Sequence, residues 1–242
     1  MNEIDILQKY IDECSNIVFF GGAGVSTESG IKDFRSVDGL YNEIYDYPPE
    51  IILSHSFFME KTEEFYKFYR DKLNCLDVEP NITHKYLKYL EDIGKLKAIV
   101  TQNIDGLHEK AGSKNVLLLH GTTFRNYCMN CNKFYDAEYI FNGKGIPRCE
   151  CGGIIKPDVV LYQEPLNELV CMDTIKAISE CDLLIIAGTS LNVYPAASYI
   201  NYFRGKYLVI INKDSTSYDS RANLVIHDKM GNIFSKLKST IN

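Results

Sequence analysis

"GGAGVSTESGIKDF", residues 21–34, comes directly after the apolar run Ile17-Val18-Phe19-Phe20, and its reading decides how the rest of the chain is understood. It approaches the dinucleotide-binding pattern G-x-G-x-x-G: Gly22 and Gly24 fall in place, but Thr27 stands where the third glycine belongs. Glycines after a buried strand let backbone N–H groups come close to a pyrophosphate, and a helix starting there adds a favourable dipole. A bare G-x-G also occurs in turns that merely join strand to helix, so the glycines alone leave both readings open. The residues beyond Thr27 argue against hydride transfer. A dehydrogenase fold calls for a regular helix, a second strand and an acid about 20 residues on that grips the ribose. Here Ser29-Gly30 interrupts the helix, Asp33-Phe34-Arg35-Ser36 is polar, and no strand precedes Asp38 or Glu43. The loop instead carries Asp33, Phe34 and Arg35 toward the ligand crevice.

Working outward, residues 3–14 have helical period, and short Val/Ile-rich runs at 17–20, 96–100, 116–119, 183–187 and 208–211 read as strands buried on both faces. Each ends in polar residues: Gln102-Asn103, His120-Gly121, Gly188-Thr189-Ser190 and Asn212 come after the last four. In an open parallel sheet the ligand crevice lies outside the carboxyl ends of the strands, so the five loops are expected to converge. The fold class is therefore α/β. Two stretches fit no βα repeat: 37–80, aromatic and helical in period, and 122–157, rich in Cys, Gly and Asn. Both are read as insertions that build a smaller module beside the sheet.

A chain of 242 residues with 45% hydrophobic content can bury a substantial core as one domain with a small insertion. The net charge of −6, with Lys and Arg scattered, disfavours non-specific nucleic-acid binding. No run of about 18 apolar residues occurs, so no membrane partner is expected. The acidic, amphipathic start MNEIDILQKYIDECS lacks a secretory pattern, and a soluble, cytoplasmic protein is expected.

Of eight cysteines, Cys14, Cys75, Cys171 and Cys181 are isolated and are expected to be buried packing residues. The other four form CMNC at 128–131 and CEC at 149–151. Positions 132–148 separate the pairs, close to the spacing of a four-cysteine zinc ribbon. The shortened second knuckle is tolerable because Gly152-Gly153 permits a tight reversal. Four thiolates, Cys128, Cys131, Cys149 and Cys151, fill a tetrahedral shell and leave no position for water, so the expected Zn2+ is structural. Reduced thiols or a redox pair are the competing reading.

Together, GAGVSTESGIKDFRS (22–36), TQNIDGLHEKAG (101–112), His120-Gly121, the four cysteines, KPDVVLYQE (156–164), GTSLNVYPAA (188–197) and INKD (211–214) resemble the sirtuins, the NAD-dependent protein-lysine deacylases. The match runs in order across nearly the whole chain. The resemblance implies a Rossmann-like parallel-sheet domain, about 1–36, 81–121 and 158–242, with an inserted helical part (37–80) and zinc ribbon (122–157). It implies NAD as a consumed co-substrate and acyl-lysine proteins or peptides as partners. By similarity, Ala23, Gly24, Ser26 and Thr27 hold the pyrophosphate and nearby ribose, and Asp33, Phe34 and Arg35 lie over the phosphates and nicotinamide. Gln102, Asn103, Ile104 and Asp105 shape the nicotinamide and ribose site. Gly188, Thr189, Ser190, Asn212, Lys213 and Met230 line the adenosine half.

His120 is the implied general base toward a ribose hydroxyl, with Asn103 and Asp105 completing the catalytic set. An imidazole suits the task because its ordinary pKa of about 6.5 keeps it largely neutral near pH 7. Val160, Leu161 and Tyr162 would pair with a substrate peptide as an added strand. His55, His84 and His227 lie in no recognised motif, and His108 is expected to pack or cap and not to catalyse. Gln163 departs from the glycine that many relatives carry. Tyr66 and Arg70, neighbours at i and i+4, keep an acidic acyl group open, although acetyl or a longer neutral chain is the better expectation. A mono-ADP-ribosyltransferase is the alternative in the same cofactor class.

Overall fold

The computed structural model describes residues 2–33, 39 and 47–239. Among these, the strands are β1 (Ile17–Gly21), β2 (Leu96–Thr101), β3 (Val116–Leu118), β4 (Gly121–Cys128), β5 (Phe134–Tyr135), β6 (Ile155–Val159), β7 (Leu183–Ala187), β8 (Tyr207–Ile211) and β9 (Leu224–Ile226), and the Val/Ile-rich runs supply β1, β2, β3, β7 and β8. Six of them make a parallel sheet in the order β3-β2-β1-β7-β8-β9, and β5-β4-β6 make a small antiparallel sheet. The strand order reverses direction between β1 and β7, which is where a doubly wound sheet opens a ligand crevice. Register brings the strand ends level there: Gly21 pairs with Thr101 on one side and Ala187 on the other.

The helices are α1 (Glu3–Glu13), α2 (Pro49–Ile52), α3 (His55–Glu60), α4 (Thr62–Lys72), α5 (Ile82–Asp92), α6 (Leu107–Lys110), α7 (Ala137–Phe141), α8 (Glu168–Glu180) and α9 (Met230–Phe234). Side-chain oxygens start the longer ones. Asn2 caps α1 in a reciprocal box with Asp5, Asn81 caps α5, and Asn167 accepts from the N–H groups of Leu169 and Val170 at α8.

Because successive strand residues point to opposite faces, β1 feeds two cores. Phe19 packs with Leu7, Ile11, Leu87 and Phe234 from α1, α5 and α9, while Val18 and Phe20 pack with Ile178 of α8 and Ile200 of the turn between β7 and β8. Truncating a fully buried Phe such as Phe19 to Ala costs about 3–5 kcal/mol. A third core joins Phe58, Phe65, Tyr66 and Tyr69 of α3 and α4 to Ile140, Ile155 and Leu161.

Element ends differ from expectation by single residues. The first helix stops at Glu13 because Cys14 is already extended, β1 and β2 run one residue further, and β3 stops at Leu118. Strand β9 is an addition to the expected set. No helix among the described residues is long and apolar enough to cross a membrane.

Candidate active site

The loops after β1, β2, β3, β7 and β8 all open into one cavity of about 980 Å³, joined by the Asp228–Met230 turn after β9. Of the residues expected to hold the dinucleotide, Ala23, Gly24, Thr27, Asp33, Gln102, Asn103, Ile104, His120, Gly188, Thr189, Ser190, Asn212, Lys213 and Met230 line it. Val160, Leu161 and Tyr162 line its opposite side. Ser26 and Asp105 are buried but do not line it. Phe34 and Arg35 lie outside the described residues.

The glycine loop is two short 3-10 turns, Ala23–Val25 and Thr27–Ser29, closed by Gly30 in the left-handed region at φ +92°. Through Asp33, the described residues after β1 form no regular helix. The glycines serve first to bring two loops together. A Cβ on Gly24 would lie 2.7 Å from the Gly188 Cα, and one on Gly22 would lie 2.7 Å from the Thr189 Cβ. The N–H of Gly24 donates to Gly188 O at 2.9 Å and that of Gly22 to Ala187 O at 3.1 Å. Both amides are thus engaged in holding the crevice shut at its base.

Beneath the loop lies a buried polar chain. The Ser26 hydroxyl donates to Asp105 Oδ2 at 2.6 Å, Asn103 Nδ2 donates to Ser26 Oγ at 3.0 Å, and the Leu107 N–H donates to Asp105 Oδ1 at 3.0 Å. Burial pushes the Asp105 carboxyl above its ordinary pKa, against the pull of those hydrogen bonds. With both oxygens occupied, Asp105 fixes the position of the glycine loop against the β2 loop. The Asn81 side chain adds a bond to Val25 O at 2.8 Å.

His120 stands at the end of β3 with Nδ1 2.9 Å from Gln102 O. A carbonyl only accepts, so Nδ1 carries the proton and Nε2 is left as the basic atom. Burial lowers the His120 pKa below the ordinary imidazole value and so favours the neutral ring, while the Gln102 bond pulls the other way. Gln102 in turn donates from Nε2 to Thr189 Oγ1 at 3.2 Å, linking His120 to the β7 loop.

Away from the cavity, the sulfurs of Cys128, Cys131, Cys149 and Cys151 all lie within 4.8 Å of one another. Three of the pairs are 3.5 Å apart. Zinc–sulfur bonds of about 2.3 Å place tetrahedral sulfurs about 3.8 Å apart, so the four thiols fit one structural zinc ion. The glycines make the tight reversal expected of them: Gly152 sits at φ +83°, and a Cβ on Gly153 would come 2.7 Å from Cys128 Sγ.

The Sir2 family profile matches residues 22–195, which spans the glycine loop, His120, the four cysteines and the 160–162 segment. The chain belongs to the Sir2 family. It is 58% identical over 240 residues to an "NAD-dependent protein deacetylase" of Clostridium perfringens (strain 13 / Type A), covering 98% of both chains. With a protein of the same description from Clostridium acetobutylicum it shares 56% over 237 residues, covering 96% of this chain and 97% of the relative. Among solved structures, "Sir2-p53 peptide-NAD+" superposes with a TM-score of 0.85 at 34% identity, covering 98% of this chain and 97% of that one. "Sir2 bound to acetylated peptide" gives 0.86 at 34%, with the same coverage.

Some cavity residues depart from the sequence expectation. Cys171, expected to pack like the other isolated cysteines, is only half-buried, lines the cavity and accepts from the Tyr199 hydroxyl at 2.9 Å. His55 places Nδ1 2.8 Å from Glu164 Oε1 beside the 160–162 segment. The motif KPDVVLYQE contains Glu164, but nothing in the sequence pairs it with a histidine more than a hundred positions earlier.

Other residues sit elsewhere than their spacing suggests. Tyr66 is fully buried with its hydroxyl donating to Ile155 O, and Arg70 donates to Ile140 O and Gly145 O, both at 2.7 Å. Neither lines the Sir2 cavity. The pair braces α4 against the zinc-bearing sheet and is not placed to read an acidic acyl group. His84 and His108 are buried with ring centroids 4.7 Å apart, in keeping with the packing expected of His108.

Proposed function

We infer that this chain is an NAD-dependent protein-lysine deacetylase that transfers the acyl group to ADP-ribose and releases nicotinamide. The observation that carries the reading is His120: a neutral imidazole with a fixed tautomer, in the cavity that also holds the glycine loop and the 160–162 segment. A Sir2-family chain that close over its full length to curated deacetylases is an enzyme of that kind.

The division of labour derives from the lining. The glycine loop with Thr27, Asp33 and Gln102 would seat the pyrophosphate and nicotinamide ribose, and Thr189, Ser190, Asn212, Lys213 and Met230 the adenosine. NAD, when bound, supplies the ADP-ribosyl group that accepts the acyl and loses nicotinamide. His120 receives a proton at Nε2 while Nδ1–H stays on Gln102 O, so the ring gains charge without turning. Asp105 acts through Ser26 and the Leu107 amide to hold the loop that faces this base. Val160, Leu161 and Tyr162 would lie against an acyl-lysine peptide; their N–H groups and the carbonyls of Leu161 and Tyr162 are bonded within the fold, which leaves Val160 O to accept from the peptide backbone, a contact without strict sequence choice.

We also propose that the third core marks a separate small module, which takes α2, α3 and α4 from the 37–80 stretch and the zinc-bearing part from 122–157. Support comes from its own sheet and its own apolar cluster. A cytoplasmic site of action belongs to the same reading, since a reducing compartment keeps four thiolates available to zinc.

The test is an acetyl-lysine peptide incubated with and without NAD. Loss of acetyl only when NAD is present, with free nicotinamide appearing alongside, is the expected outcome. Deacetylation without NAD would refute the reading. Nicotinamide release onto a peptide that stays acetylated but becomes ADP-ribosylated would point to the transferase alternative.

A further inference from the structure

We propose that Gln163 is a positioning residue for the acyl-peptide, latching the substrate-facing segment 160–162 onto the first turn of α3; the inference rests on the deacetylase reading above. The residue sits at φ +77°, a left-handed backbone region that favours glycine. A side chain held there calls for a compensating contact, and one is present. Gln163 Oε1 accepts from the Ser56 N–H at 3.0 Å.

The accounting at the start of α3 makes the contact more than incidental. A helix leaves its first four N–H groups without intrahelical partners. At α3, the Ser54 N–H goes to Ile51 O at 3.1 Å and the Phe57 N–H to Ser54 Oγ at 3.3 Å. The other two go to the substrate-facing turn: His55 N–H to Tyr162 O at 2.9 Å, and Ser56 N–H to Gln163 Oε1. Tyr162 N–H returns a bond to Leu53 O at 2.9 Å. Glu164 closes the far side of the turn, accepting from Leu161 N–H at 2.9 Å and Lys156 Nζ at 3.0 Å. Segment 160–164 and the start of α3 therefore form one hydrogen-bonded unit at the cavity edge. Of its links to the α3 backbone, only the one from Gln163 depends on a side chain.

A peptide that pairs with a preformed edge avoids the cost of ordering it. Removing the Gln163 acceptor hands the exposed Ser56 donor to water and loosens that edge, without touching His120 or the glycine loop. Such a change acts on peptide affinity and not on chemistry.

The experiment compares wild type with Gln163→Gly, which relieves the backbone but removes the acceptor, Gln163→Leu, which keeps the bulk without it, and Gln163→Glu, which keeps an acceptor oxygen. With an acetyl-lysine peptide lacking charged neighbours, Gly and Leu are expected to raise the peptide KM about three- to ten-fold, the worth of one hydrogen bond. Both should leave kcat and the KM for NAD within about two-fold, and Glu should restore the peptide KM. Hydrogen exchange at the Ser56 amide should quicken in Gly and Leu and return toward wild type in Glu. An unchanged peptide KM in Gly and Leu, an equal fall in kcat, or Ser56 exchange that ignores the substitutions would overturn the proposal. The exchange measurement needs no turnover, so failure of the wild type to deacetylate with NAD would count against the deacetylase reading alone.

Discussion

The two sides of the cavity are built by different means. On the side proposed to hold the nucleotide, backbone packs on backbone, Gly24 against Gly188, over the buried chain Asn103–Ser26–Asp105. On the side proposed to take the peptide, segment 160–164 is tied to α3 partly by side chains that water reaches, among them the His55–Glu164 pair, with His55 47% exposed. A buried chain leaves unmatched polar groups when one member is removed, whereas an exposed pair hands its partners back to water. The nucleotide side should therefore tolerate little, and the peptide side should be tunable.

The peptide side also leans on the metal, because Cys128 and Cys149 belong to the same core as Leu161. Chelation is expected to have the largest effect, since structural zinc contributes on the order of 10 kcal/mol to small zinc-bound folds. Peptide binding should be lost before NAD binding as zinc leaves, tracked by metal analysis alongside calorimetry with each ligand. Simultaneous loss would mean the two sides are not separable.

Next in size is the base. His120→Ala should lower deacetylation by about 10² to 10⁴-fold while NAD still raises the melting temperature. Because burial lowers the pKa of His120, the neutral ring persists below the ordinary imidazole range. The acid limb of kcat/KM should then fall below about pH 6.5.

Two stability effects would test the rigidity of the nucleotide side. His84, buried beneath it, has its pKa lowered to about 4 by burial. Its contribution is complete above about pH 6.5 and is lost as pH falls toward 4, on the order of 3 kcal/mol, read from urea midpoints between pH 7 and pH 4. Asp105→Ala strips the Ser26 hydroxyl and the Leu107 amide of their acceptor and should cost about 2–3 kcal/mol while raising the KM for NAD. The smallest effect is expected of His55→Ala: under about 1 kcal/mol in stability and a peptide KM changed by less than about five-fold. A larger loss there than at Asp105 would invert the comparison.

The same contrast explains what can be read from sequence. The nucleotide side is legible because its parts are local: apolar runs ending in Gly22-Ala23-Gly24, Gln102-Asn103, His120 and Gly188-Thr189 announce both strand and loop. The zinc centre is legible for the same reason, as each knuckle is a few residues long. Strand β9 escapes such a reading because three residues, Leu224–Ile226, are too few to show a period. His55 and Cys171 escape it because their partners, Glu164 and Tyr199, are far away along the chain and only the fold brings them together. Tyr66 and Arg70 mislead in the opposite way. Helical spacing puts them side by side correctly, but does not say which wall of the molecule they face.

The central claim is that one molecule of NAD is cleaved for each acetyl group removed and that the acetyl group ends on the ADP-ribose. Mass spectrometry of the products from a limiting amount of acetyl-lysine peptide reads this directly. The account predicts equal amounts of nicotinamide, deacetylated peptide and acetylated ADP-ribose. Free acetate with NAD left intact would contradict it.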